Sequence, residues 1–204
     1  ELSEVMKLCH AAGQVVVPAG GFTGLVQGVV CQADDIQISL ERMRKIEEID
    51  PVGRTMTVEA GCPIQAVQEA AAEQGLKFPV DWGARGSATV GGGLSTNAGG
   101  NSVVRYGMMR DNVLGIEAVL ADGTVISSMN VLLKNNAAYD LKQLFVGSEG
   151  TLGIITRAVL KLQPAPLSTN TALLAASDFA AVQRLFVHAG RRLGPALTSF
   201  EVMW

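Results

Sequence analysis

The chain has no basic surplus. Its 16 Lys and Arg face 19 Asp and Glu, a formal net charge of −3 at pH 7 and a pI near 5.4. That balance gives no electrostatic reason to expect nucleic acid as a partner. Histidine is nearly missing: His10 and His188 are the only two. So few imidazoles argue against a zinc site or a Ser-His-Asp triad built within these residues. Cysteine is sparse as well. Cys9, Cys31 and Cys62 are odd in number and lack metal-like spacing, so they read as reduced, buried thiols of a cytosolic protein. No apolar run reaches the roughly 18 residues that would span a bilayer, and no signal-peptide pattern is visible.

Glycine is what the chain has in excess, at 23 of 204 residues, against an average usage of about 7%. The excess is local. Pro79 to Asn101, PVDWGARGSATVGGGLSTNAGGN, holds seven glycines and only two ionised side chains, Asp81 and Arg85. A shorter relative lies upstream, Pro18-Ala19-Gly20-Gly21-Phe22-Thr23-Gly24-Leu25, directly after the apolar run Val15-Val16-Val17. Without a Cβ, glycine lets backbone N–H groups come close to a ligand. Two such segments suggest a large anion gripped at two places, and a dinucleotide is the natural candidate.

The rest of the chain, 48% hydrophobic, can build one sizeable core or one domain plus part of another. Residues 1 to 12 predict a helix stopped by Gly13, and Val15 to Pro18 a short buried strand. Ile36-Ile38-Leu40 and Met56-Val58-Ala60 alternate as half-buried strands, with Pro51-Val52-Gly53-Arg54 turning the chain between Ile46-Ile49 and the second run. Gly61-Cys62-Pro63 starts a helix, with proline at its first position and Val67, Ala70 and Ala71 on one face, ending at Gly75. Asp122-Gly123 marks a two-residue hairpin within Gly115 to Ser128. A short helix over Leu141 to Val146 leads into a third glycine-bearing turn, Gly147 to Gly153, and a strand from Ile154 to Leu162. Pro164-Ala165-Pro166 marks a boundary. Beyond it the pattern is strand Thr171 to Ala176, N-cap Ser177, helix Phe179 to Leu193 and a last strand Leu197 to Trp204, the start of a second domain. Both ends look cut, with a helix pattern opening at Glu1 and a strand pattern running to Trp204; the expectation is a fragment of something longer.

Familiar nucleotide motifs fail. Gly91-Gly92-Gly93 is followed by Leu-Ser-Thr, so G-x-G-x-x-G lacks its last glycine, and there is no G-x-x-x-x-G-K-[ST]. Gly147-Ser148-Glu149-Gly150 does not make the G-x-S-x-G elbow.

Taken in order, VPAGGFTGL, then PVDWGARGSATVGGGLSTNAGGNSVVRYGMMRDNVLGIEAVLADGT, then YDLKQLFVGSEGTLGIIT resemble the FAD-binding domain of FAD-linked oxidases, the vanillyl-alcohol oxidase and p-cresol methylhydroxylase type. The match is closest to the D-2-hydroxyacid dehydrogenase branch (D-lactate dehydrogenases, the glycolate oxidase flavin subunit, D-2-hydroxyglutarate dehydrogenase). The resemblance implies an α+β fold: a FAD-binding domain of two α/β subdomains over residues 1–165, lacking its N-terminal part, then the start of a ferredoxin-like cap over 168–204. It implies FAD as cofactor. Ala19, Gly20, Gly21, Phe22, Thr23, Gly24 and Leu25 resemble the loop that holds the pyrophosphate. Gly83, Ala84, Ser87, Thr89, Gly91, Gly92, Asn97, Gly99 and Gly100 resemble the segment under pyrophosphate, ribityl chain and isoalloxazine. Pro79 resembles a residue lining the flavin, and Glu149, Gly150, Gly153, Ile154 and Ile155 the adenine-side turn and strand.

Departures from the family are part of the expectation. Ala19 stands where many relatives carry Arg, and with no His or Cys in the usual tethering regions FAD is expected to be held non-covalently. Arg105-Tyr106-Gly107 and Arg110-Asp111-Asn112 read as a solvated turn with an ion pair, Lys134-Asn135-Asn136 as a polar loop, Met108-Met109 as core filler, and His10 and His188 as surface or packing residues.

The implied activity is oxidation of a D-2-hydroxyacid to the 2-oxoacid: the α-hydrogen leaves as hydride to the flavin while a base takes the hydroxyl proton. Electrons then pass to a non-nicotinamide acceptor such as quinone, cytochrome or an electron-transfer flavoprotein. In relatives the substrate Arg, the base His and any metal-binding His lie in the cap and after it. No catalytic or metal residue is therefore expected here, and the chain alone is expected not to turn over. The implied setting is cytoplasmic or peripheral at the inner membrane, as a homodimer or within a complex. Two alternatives stay open: a FAD-binding electron-relay subunit, and a flavin-dependent enolpyruvyl reductase, against which the β-α-β pattern after Pro166 argues.

Overall fold

The computed structural model describes residues 1–203. The elements run α1 (Leu2–Ala11), β1 (Val16–Ala19), β2 (Ile36–Ser39), β3 (Ile46–Asp50), β4 (Thr55–Glu59), α2 (Ile64–Glu73), β5 (Leu76–Lys77), α3 (Val90–Ser95), α4 (Val103–Tyr106), β6 (Val113–Val119), β7 (Val125–Ser128), α5 (Lys142–Phe145), β8 (Ile154–Lys161), β9 (Gln163–Pro164) and α6 (Phe179–Leu193). This is a mixed helix-and-sheet fold. A five-stranded antiparallel sheet in the order β3-β4-β8-β6-β7 forms its body, beside a parallel pair β1-β2 and a short pair β5-β9.

Strand β8 is the centre of that sheet. It is buried at six of its eight positions, on both faces, rather than alternating as the sequence pattern implies. β4 and β6 flank it, and α3 lies on the β4–β8 side. Between helices and sheet sits one apolar core, with Met56, Val58, Ile64, Val67, Phe78, Val90, Leu94, Met109 and Leu160 each at most 1% exposed. Across the sheet Arg157 of β8 reaches Glu47 on β3 and, at 3.4 Å, Glu117 on β6.

Several turns follow their sequence chemistry. Gly13 takes φ +65° after α1, and Gly75 φ +67° after α2. Asp50 Oδ1 accepts the N–H groups of Val52 and Gly53, both at 2.9 Å, and closes the β3–β4 hairpin. Others shift by one residue. Pro63 is the N-cap of α2 with ψ 142°, one position before the helix proper. The β6–β7 connection has three residues rather than two. Leu120 N–H donates to Thr124 O and Gly123 N–H to Leu120 O, with Gly123 at φ +81°. That is a type I turn followed by a left-handed residue, a common three-residue hairpin loop.

The region after Pro164 departs most. Thr171 to Ala176 and Leu197 to Met203 form no strand; the final position of the predicted strand, Trp204, lies outside the described residues. A strand needs a neighbour to take its backbone groups, and neither segment has one here. Among the described residues, α6 forms there with a short 3-10 turn, Gly194–Ala196, after it; α6 is capped by Asp178, whose carboxylate accepts from Ala181 N–H at 2.7 Å. Ser177 is not the cap but donates its hydroxyl to Asp178 at 3.0 Å. No residue of α6 is buried.

Candidate functional site

Three glycine-bearing segments converge on a cleft of about 420 Å³. One wall is the loop after β1, from Gly20 to Val29. The second is α3 with its approach, Ala88 to Ala98. The third is the turn from Glu149 into β8, ending at Ile154 and Ile155. Pro18, Ala19, Leu40 and Trp82 complete the lining.

Close backbone approach fixes the first wall. A Cβ on Gly20 would stand 2.5 Å from Thr89 Oγ1, and one on Gly21 only 1.8 Å from Ser87 O. Glycine is required there because the loop lies directly on the chain entering α3. Gly150 does the same for the third wall: at φ +81° its Cβ would meet Pro18 Cγ at 2.6 Å, so the turn presses on β1.

The third wall is also tied to α3. Gly147 N–H donates to Leu94 O at 3.0 Å and Glu149 N–H to Ser95 O at 2.8 Å. Arg110 locks the same corner. Its backbone N–H donates to Asn97 Oδ1 at 3.0 Å, and its guanidinium to Gln143 O at 3.0 Å, Gln143 Oε1 and Val146 O. The solvated turn expected at Arg110-Asp111-Asn112 is therefore a half-buried brace. Asn112 is 1% exposed and donates to Tyr106 O and Met108 O.

The cleft offers donors without cations. Among the described residues, nothing accepts from the backbone N–H groups of Gly20 through Val26. Thr89 Oγ1 accepts from Gly92 N–H at 3.3 Å as the cap of α3, and its hydroxyl proton has no acceptor. Glu149 is the one ionisable side chain in the lining. A phosphate placed here would be held by neutral N–H dipoles rather than by Lys or Arg, which suits a diphosphate bridge between bulky ends. Apolar surface from Leu40, Ala88, Ile154 and Ile155 would pack those ends.

The structure brings together Ala19, Gly20, Gly21, Phe22, Thr23, Gly24, Leu25, Thr89, Gly91, Gly92, Glu149, Gly150, Gly153, Ile154 and Ile155 around this cleft. Seven expected residues lie outside the lining. Pro79 is buried in the segment between β5 and α3, while Gly83, Ala84 and Ser87 form an exposed bend. Asn97 spends its side-chain oxygen on Arg110. Gly99 and Gly100 lead to Asn101, whose N–H returns to Asp81 O at 2.9 Å.

Trp82, Gly93, Ser95, Thr96, Ala98, Gly28 and Leu40 also line the cleft, beyond the residues that the family resemblance implies. Five of them sit inside the same glycine-rich stretch, and that position was the available signal.

The remaining singled-out residues take no part. His10 and His188 are exposed and outside the cleft. Met109 is core, but Met108 is 37% exposed. The cysteines are free; Cys9 and Cys62 are buried and Cys31 half-buried. Burial pushes the Cys62 thiol up to about 11, with nearby Arg44 opposing and Glu59 adding to the shift. Among the described residues no cluster of three or more His, Cys, Asp or Glu could hold a metal, and no helix is long and apolar enough to cross a membrane.

The chain is 46% identical over 204 residues to a protein of Oryza sativa subsp. indica named "Probable D-2-hydroxyglutarate dehydrogenase, mitochondrial", covering all of this chain and 36% of that one. It is 42% identical over 203 residues to the mitochondrial D-2-hydroxyglutarate dehydrogenase of Bos taurus (100% and 37%). It is 43% identical over 201 residues to the D-2-hydroxyglutarate dehydrogenase of Xanthomonas citri pv. viticola (98% and 42%). It therefore spans about two fifths of the length of these curated relatives. Among solved structures, an alkyldihydroxyacetonephosphate synthase superposes with a TM-score of 0.73 at 27% identity, over 82% of this chain and 30% of that one. A family described as "FAD binding domain" matches residues 1–128, more than half of the 204, and the chain belongs to that family.

Proposed function

We propose that the cleft holds FAD, non-covalently, and that the whole protein oxidises a D-2-hydroxyacid, with D-2-hydroxyglutarate the first candidate. One observation carries the binding reading: Gly20 to Val26, whose backbone amides have no acceptor among the described residues, line a cleft without Lys or Arg in a member of an FAD-binding family. The substrate reading leans on the names of the relatives.

In this arrangement the Gly20–Val26 amides and the Thr89 hydroxyl hold the diphosphate. Gly92 lets the nucleotide lie on α3, Gly91 lets α3 pack closely on Ala60, and Glu149, with Ile154 and Ile155, receives the adenine end. The lining contains no His or Cys, which supports non-covalent attachment. Bound FAD supplies a two-electron acceptor for the substrate's α-hydrogen; these residues position it and exclude water. No catalytic residue is assigned in this chain, because no base faces the cleft other than Glu149, which stands at the adenine-side turn.

Residues 1–165 act as the FAD-binding unit of two subdomains, built on the β1-β2 pair and the five-stranded sheet, and 168–204 open a cap. α6, with its apolar side chains exposed, supports a segment that packs on something further. The acceptor is a quinone, cytochrome or electron-transfer flavoprotein. A cytoplasmic or peripheral location is to be decided by fractionation, since the relatives include proteins named mitochondrial.

The test is an anaerobic titration of the full-length protein, loaded with FAD, by D-2-hydroxyglutarate, D-lactate, glycolate and D-malate. Bleaching of the flavin band by one of them is expected. Bleaching by none rejects the hydroxyacid reading and leaves the binding reading standing on FAD affinity alone.

A further inference from the structure

Trp82 is a large aromatic in a segment otherwise stripped of bulk. Its ring is half-buried, packs on the edge of the core and lines the cleft. It sits over Gly93 of α3, where a Cβ would stand 3.2 Å from Trp82 Cη2. The main chain beside it is held on both sides. Trp82 O accepts from Arg85 N–H at 3.1 Å, and Asp81 O from Asn101 N–H at 2.9 Å. The Asp81 carboxylate accepts from Gln68 and Arg85, each at 3.1 Å. The indole is thus placed before any ligand arrives. Its N–H has no acceptor among the described residues.

Taking the FAD reading as its basis, we propose that Trp82 is a positioning residue that contacts the isoalloxazine end of the cofactor. Two observations choose that end over the adenine. An indole offers a donor and a π face but no acceptor, and the edge of isoalloxazine is rich in acceptors, its carbonyls and ring nitrogens. Adenine also has acceptor nitrogens, but its amino donor needs an acceptor, which the Glu149 carboxylate supplies and an indole does not. Trp82 packs on Gly93 inside α3, whereas Glu149 N–H bonds the Ser95 carbonyl at the C-terminal end of α3, so the two groups stand at different places along the helix and address different parts of the bound molecule.

The experiment compares full-length wild type, Trp82→Leu and Trp82→Phe by FAD titration, following indole emission, the visible band of bound flavin and thermal stability without FAD. Wild-type emission falls as FAD binds, and the fall is much smaller in W82L, where Trp204 is the remaining tryptophan of this chain. FAD affinity falls about tenfold in W82L and less in W82F, the range of an aromatic pair. The flavin band shifts position in both variants, a signature that loss of packing alone does not produce. An unchanged band together with unchanged affinity in W82L overturns the proposal, as does an emission change as large in W82L as in the wild type. Failure of the wild type to bind FAD at all overturns the cofactor reading instead, so the two failures are separable.

Discussion

Replacing Gly21 by alanine is the sharpest perturbation of the phosphate-binding wall. The new Cβ would stand 1.8 Å from Ser87 O, 2.5 Å from Ser87 C and 3.0 Å from Ala88 Cα. These are backbone atoms at the entrance to α3 and do not swing aside as a side-chain tip would. Restoring a contact of about 3.5 Å needs a retreat of the loop by about 1.5–2 Å. An N–H···O bond normally near 2.9 Å, lengthened by that much, is no longer a bond. Hydrogen bonds to a charged partner contribute about 1.5–3 kcal/mol each, so losing two costs about 3–6 kcal/mol. FAD affinity should therefore fall by about 10²–10⁴-fold. The loop lies outside the apolar core, so the melting temperature without FAD should change little. Calorimetric titration of the full-length apoprotein with FAD measures the first quantity and a thermal scan the second. Gly190→Ala is the control: nothing lies within 4 Å of its added carbon, it is inside α6, and it should leave FAD affinity unchanged. An unchanged fold with G21A affinity within about threefold of wild type would refute the reasoning.

Other consequences are independent of that loop. Cys62 keeps its proton in the folded chain up to about 11, against an ordinary 9.0. The stability it contributes is complete below pH 9 and is lost as pH rises from there through 11, at most about 2–3 kcal/mol. Denaturant melts of wild type and Cys62→Ala between pH 8 and 11 should show a steeper loss in the wild type. A lining without Lys or Arg predicts that FAD affinity changes by less than about twofold across a tenfold rise in salt; a steep salt dependence would point to a cation in the site. Arg110→Met removes a half-buried guanidinium bonded to Gln143 and Val146. It should cost about 2–4 kcal/mol in denaturant unfolding and weaken FAD binding as the Glu149 turn loosens.

Much of the body of the fold was readable because local signals there agree with one another. Gly13, Gly75 and the Asp50-to-Arg54 turn encode their own stops and bends. The Asp122-Gly123 hairpin was visible, but its loop length depends on how β6 and β7 register, which a dipeptide does not specify. β8 was read as alternating because the sequence does not reveal a strand covered on both faces. The strands expected at 171–176 and 197–204 carry strand-forming residues, yet propensity cannot supply the neighbouring strand they need. For the site, glycine density located the walls but not their inward faces. Asn97 spends its side-chain oxygen on Arg110 N–H and Ser87 sits in an exposed bend away from the lining, while the acceptors of Arg110 are carbonyls far along the chain, which a local pattern does not reveal. Trp82 was overlooked among small residues; only the packing of its ring on Gly93 shows that it faces the cleft.

Amide hydrogen exchange on the full-length protein, with and without FAD, addresses the cleft most directly. Unpaired N–H groups from Gly20 to Val26 should exchange quickly in the apoprotein and be strongly protected once FAD is bound, while the β8 core stays slow in both. Saturating FAD that leaves those amides exchanging at their apoprotein rate would contradict the account.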